Sequence, residues 1–358
     1  MASLQKSLTD APENLKEAID WVLRVSGRDS GQDDNDAIKG LAEEVKNLLD
    51  KDAGTLAIRV DGFFRTARSG LKSADRSTAR EAFILKSYLS DITHYGRPLN
   101  EKQLGHLKEA LQKDVEGPGA SSGGPISNLA DGLKTLIGYQ GNGNTPDGNS
   151  GIGCQDYESS YKSATERWNS LTPDQHRTCA LTLLGIMPVL YFGLTYIYWW
   201  CTEESSSDPG WAQHKVDGSG ASPPQNKQAL KTFLEKVGFS DITKLNGQKT
   251  GSEIVQFINT GFKEIQIRGN DAKESYSKFL GKLQKMALES LTSNPNSNPL
   301  TSLYLLSYYY ITYPLHEVQS TSPATPSFLG YSGIAALAGG AYAFNLGGLG
   351  TFMGALLA

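Results

Sequence analysis

The stretch from Phe328 to Ala358 sets the strongest limit on what this chain can become. It reads FLGYSGIAALAGGAYAFNLGGLGTFMGALLA and contains no Asp, Glu, Lys, Arg or His. Its 31 residues exceed the roughly 20 that cross a bilayer as a helix. Glycines recur from Gly330 to Gly354 and would weaken such a helix in water. They cost less in lipid, where a helix satisfies its own backbone groups and small residues allow close helix contacts. Phe328, Gly340, Phe344, Gly350, Gly354 and Leu357 are the residues of the expected anchor, with Gly350 and Gly354 spaced as GxxxG. Two other readings stay open: a glycolipid-attachment signal cleaved near Ser320 to Ser322, and a buried core helix.

Charge balance narrows the partners. Lys+Arg 34 against Asp+Glu 38 leaves a net charge of −4, with no basic surplus to neutralise phosphates, so no nucleic acid is expected. The opening MASLQKSL is too polar to serve as a secretory signal. Cys154, Cys179 and Cys201 lack CxxC or His-rich spacing, which speaks against a metal site. One disulfide with one free thiol, or three buried thiols, both fit; the pairing stays open.

Taken in order, the chain reads as mainly α. Residues 1–116 form an expected helical module. Asp10-Ala-Pro-Glu13 has the pattern of a capping box, with Pro12 in the first turn. Leu15, Ile19, Val22 and Leu23 share one face, and Ser26-Gly27 supplies the stop. A second helix follows, carrying Ile38, Leu41, Val45, Leu48 and Leu49 in register, and the acids at 33–36 suit its start. Further helices are expected at 55–68, 79–92 and from Asn100 through Leu111, with the charged faces of the module in solvent.

A Gly/Pro/Asn-rich linker at 117–153 contains a short helix at 126–137. An aromatic-rich helical domain, 154–315, then begins. Its helix opening at Thr172 runs into Cys179–Cys201, 23 residues without charge. That run is long enough to span a membrane; its rival is a buried helix pair broken near Pro188. More helices are expected at 225–237, 253–267, 272–291 and 300–313. Residues 316–327 form the stalk and 328–358 the anchor. The fold expected is a helical-bundle ectodomain with Gly/Pro/Asn-rich linkers and one C-terminal transmembrane helix.

Catalytic signatures are missing. The five histidines stand alone, no HExxH or GxSxG occurs, and the glycine-rich tracts lack a GxxxxGK[ST] pattern. Asp33 to Asp36 matches a calcium loop in composition only. No enzyme activity, cofactor or metal is expected.

Three blocks carry a family resemblance. They are Asn14–Gly27 (NLKEAIDWVLRVSG), Gly185–Cys201 (GIMPVLYFGLTYIYWWC) followed by Gly210-Trp211, and Gly339–Gly350 (GGAYAFNLGGLG). In that order they resemble the variant erythrocyte surface antigen family of Babesia, most closely its alpha subunit. The chain is shorter than the family's large members and lacks their cysteine- and lysine-rich region, so it resembles a short or truncated member.

The resemblance implies a polymorphic antigen at the infected erythrocyte membrane, anchored once at its C-terminus. It also implies cytoadhesion to host endothelial or red-cell surface proteins, immune evasion by antigenic variation, and a second antigen subunit as hetero-oligomer partner. A single C-terminal span moves Cys179–Cys201 towards the buried reading. The alternatives are an internal membrane-anchored scaffold never displayed, and a two-span membrane protein.

Overall fold

The computed structural model describes residues 6–12, 14–29, 34–51, 101–117, 123–139, 151–153, 157–161, 166–202, 211–216, 230–240, 249–265, 276–290 and 298–307. The expected helices at 55–68 and 79–92, the stalk and the anchor from Phe328 to Leu357 lie outside them. Among the described residues there is no strand; an antiparallel bridge joins Lys215 and Thr250.

Helix α1, Leu15–Val25, starts later than the capping-box pattern at Asp10 suggests. Asp10 turns its carboxylate back to accept from the Ser7 N–H at 2.7 Å, closing a turn before the helix. Asn14 is the cap instead, its Oδ1 accepting from the Glu17 N–H at 2.9 Å. The Val237 carbonyl accepts the otherwise orphaned N–H of Lys16. At the other end Gly27 takes φ +71°, the left-handed turn that stops the helix as expected.

In α2, Asn35–Lys51, the side chains of Ile38, Leu41, Val45 and Leu48 are buried as the periodicity requires. Asp34 Oδ1 accepts from the Ala37 N–H at 3.1 Å, so one of the acids before α2 caps it. Helix α3, Glu101–Glu116, packs beside α2. Helix α4, Pro125–Ile137, has Pro at its first position and Gly138 at φ +94° beyond its last.

The axis of the molecule is α5, Pro173–Thr202. It packs against α1, α2 and two later helices, α7 (Gly251–Gly261) and α8 (Tyr276–Ser290). A short α6, Leu230–Lys236, lies between them in sequence. Helix α7 opens with a reciprocal box that the expected start at 253 overlooked: Thr250 caps the Glu253 N–H, and Glu253 accepts from the Thr250 N–H at 2.6 Å. The last described helix, α9, begins at 299 and is described to 307.

One hydrophobic core runs from Leu8 to Leu306, continuous across the 117–153 stretch. Where α4 and α7 cross, two glycines face each other. A Cβ on Gly132 would lie 2.7 Å from the Gly261 carbonyl oxygen, and one on Gly261 would lie 2.5 Å from that of Gly132. Backbone meets backbone there, a contact that any side chain would prevent.

Pro188 does not break α5. A proline has no N–H for the carbonyl four residues earlier, which ordinarily ends or kinks a helix. Here Ser307 Oγ of α9 donates to that carbonyl, Leu184 O, at 2.5 Å. The helix runs through its proline because a neighbour supplies the missing donor.

Candidate functional site

Of the three cysteines, Cys179 and Cys201 are free and buried, and Cys154 lies outside the described residues. The two free thiols sit 22 positions apart on one helix, about 33 Å at the helical rise, so they cannot pair with each other. Burial, with a smaller push from the Glu166 carboxylate, raises the Cys179 thiol to about 12. Burial also raises Cys201. Neither is a ready nucleophile, since the thiolate is the reactive form. Cys179 Sγ instead points at Leu8 O, at 3.7 Å.

That contact belongs to a wider lock on the N-terminal arm. Leu8 is fully buried; its carbonyl also accepts from Trp21 Nε1 at 2.8 Å. Glu166 accepts from the Leu8 N–H and from Ser7 Oγ, and Tyr161 donates to Asp10 O. No local pattern in residues 6–12 announces this role.

The charged face of α1 corrects the expectation of solvation. Lys16, Asp20 and Arg24 follow one another at i+4 spacing, and each is buried. Lys16 Nζ lies 2.9 Å from Asp20 Oδ2 and donates to Glu158 O at 2.6 Å. Asp20 accepts from the Tyr157 hydroxyl at 2.5 Å and the Ser160 N–H at 2.8 Å. Arg24 pairs with Asp29, which Arg167 also reaches. A buried ion pair survives when its remaining donors and acceptors are engaged, and Tyr157, Glu158 and Ser160 engage those of Lys16 and Asp20.

Two more acids are buried at helix starts. Asp114 of α3 accepts from the N–H groups of Ile126 and Ser127, capping α4. Burial still outweighs those bonds and lifts its carboxyl to about 7. Glu264, in a short 3-10 turn at Lys263–Ile265, accepts from the Thr301 N–H of α9 at 3.1 Å. Its other oxygen, Oε2, is enclosed without a hydrogen-bond partner, and burial lifts this carboxyl to about 8. Tyr191 of α5 lies nearby with its phenol pushed upward, chiefly by burial, and its ring stacks on Tyr304 at 4.3 Å.

Among the described residues these groups are enclosed in the protein. An apolar cavity of about 10 Å³ lies among Leu15, Ile19, Leu194, Phe239, Ile254 and Ile258, no more than a single water needs. Among the described residues, no group of three His, Cys, Asp or Glu could hold a metal ion. Helix α5 is long and apolar enough to cross a membrane, yet 82% of its most apolar window is buried inside the protein. Around Asp20 and Asp114 the polar groups answer one another, whereas Glu264 Oε2 does not find a partner.

Residues 149–281 match the family model described as variant erythrocyte surface antigen-1. The matched stretch includes α5 with the central aromatic block, α6, α7 and the first part of α8. The block at Asn14–Gly27 and the one at Gly339–Gly350 fall outside it. No curated protein and no solved structure matches the chain.

Proposed function

From the match of residues 149–281 to the variant erythrocyte surface antigen-1 family model, we propose a membrane-anchored antigen displayed on the infected red cell. The family match is the observation that carries this reading. The uncharged stretch 328–358 supports the anchor, since a helical body joined to such a stretch sits at a bilayer surface. The helical body would make contacts with host surface proteins, for adhesion and for evasion of antibodies, as a binding module rather than an enzyme. A second antigen subunit is the proposed partner in the membrane. Sequence variation would concentrate in the glycine- and asparagine-rich tracts at 117–153 and 203–224, because connecting segments tolerate change.

Protease shaving of intact infected cells, with a tag in each of those two tracts, tests the proposal. Loss of both tags is the expected result. Retention of both would instead support an internal scaffold, and loss of only one would mean that α5 crosses the membrane.

A further inference from the structure

We propose that Glu264 is a protonation clamp on α9, holding the start of that helix against α5 while its carboxyl carries a proton and loosening it once the proton leaves. The geometry has two parts. Glu264 Oε1 caps α9 through the Thr301 N–H, so the acid ties the turn at Lys263–Ile265 to the last described helix. Oε2 is buried with no hydrogen-bond partner. A protonated acid leaves a neutral oxygen there; an ionised one leaves a charge in apolar surroundings, which is far costlier.

Among the described residues, the groups that face it bring no cation. Tyr191 faces it from α5, and α9 brings the Leu300 and Thr301 backbone and the Tyr304 ring stacked on Tyr191. From α7, the carboxylate of Glu253 is engaged at the far end in the Thr250 box. Lys263, its neighbour on the same turn, is exposed. The rise of the Glu264 carboxyl from 4.5 to about 8 by burial agrees with this picture.

The sign follows from the raised value. The clamp's contribution is complete below 4.5 and is lost as pH rises through about 8. Within that window the equilibrium for detaching α9 rises by up to about tenfold per pH unit. Beyond α9 the sequence continues into the uncharged stretch, so the clamp acts on the joint between the helical body and the C-terminal part of the chain.

Hydrogen exchange of the Leu303 to Ser307 amides, in the full chain in detergent micelles, tests the clamp. Protection is compared at about pH 5.5 and about pH 9, on either side of the titration, after correction for base-catalysed exchange. The wild type loses protection at the higher pH, whereas Glu264→Gln, which keeps a neutral side chain at every pH, holds it at both. Equal protection in the wild type at both pH values, or a parallel loss in Glu264→Gln, overturns the proposal. Should Glu264→Gln fail to fold, the carboxylic-acid infrared band decides, recorded at neutral pH in an Asp114→Asn background. A band that disappears above about pH 8 supports the clamp, and its absence at neutral pH overturns it.

Discussion

Ser307 Oγ donates a 2.5 Å hydrogen bond to Leu184 O, the carbonyl that Pro188 leaves without a helical donor. The two residues belong to α9 and α5, 123 positions apart in sequence. Removing the hydroxyl strands a buried acceptor, so Ser307→Ala should lower stability by about 1–3 kcal/mol. A double-mutant cycle separates this from general loss of packing. In a Pro188→Ala background the helix supplies its own N–H, and the cost of Ser307→Ala should shrink clearly. Denaturant unfolding of the four proteins checks it; an undiminished cost would disconnect the serine from the proline.

The buried stripe on α1 makes a second prediction. Asp20 holds Lys16, the Tyr157 hydroxyl and the Ser160 N–H. Asp20→Ala leaves the ammonium of Lys16 buried without its carboxylate and should cost about 3–5 kcal/mol. Replacing both charges together, Lys16→Met with Asp20→Asn, should cost less than Asp20→Ala alone. Unfolding midpoints give the comparison, and a double variant weaker than the single one would show that the pair is worth more than its burial costs.

The glycine crossing of α4 and α7 has its own signature. Gly132→Ala and Gly261→Ala each drive a methyl group into the opposing carbonyl oxygen, for an expected loss of about 1–3 kcal/mol. Gly105 of α3 and Gly281 of α8 have nothing within 4 Å of where a Cβ would stand. Alanine there should stabilise by about 0.4–1 kcal/mol through helix propensity. Thermal melts of the four variants should therefore split into two pairs of opposite sign.

What the sequence shows and what it hides divide along sequence distance. The stop at Gly27, the cap at Asp34, the proline opening α4 and the apolar face of α2 are local patterns, legible because their partners lie within one turn. Asn14 could have been found too, since Asn14-Leu-Lys-Glu17 is itself a capping sequence that competed with Asp10 for the same role. The burial of Lys16, Asp20 and Arg24 could not: spacing alone looks the same on a solvated face. Lys16 and Asp20 meet Glu158 and Ser160, more than 130 residues away, and the Asp29 that pairs with Arg24 is held in turn by Arg167. Pro188 looked like a break because its remedy, Ser307, lies on another helix. Glu264 carried no signal at all beyond being an acid in a polar stretch, since its burial depends on α5 and α9 closing around it.

The thiols yield a test of burial. Cys179 and Cys201 sit in the core with their ionisation suppressed. Both should resist a thiol reagent in the native protein and react only as fast as the fold opens. Mass spectrometry of peptides after timed labelling checks each site separately. Rapid labelling of Cys179 with slow labelling of Cys201 would mean that the N-terminal arm around Leu8 lifts away without global unfolding.

Asp114 sets a pH dependence whose direction can be worked out. Its carboxyl rises from 3.8 to about 7 in the folded protein, so the folded state keeps a proton that the unfolded chain releases. The contribution is complete below 3.8 and is lost as pH climbs through about 7, at up to about 1.4 kcal/mol per pH unit. Glu264 acts in the same sense between 4.5 and about 8, so the two overlap. Asp114→Asn keeps one oxygen to cap α4 but cannot titrate. It should remove part of the loss of stability between about pH 4 and about pH 7, and with Glu264→Gln most of it. Urea unfolding across that range decides the matter. If stability of the wild type instead rises with pH there, the bonds from Ile126 and Ser127 outweigh burial, and Asp114 is an ordinary ionised cap at the start of α4.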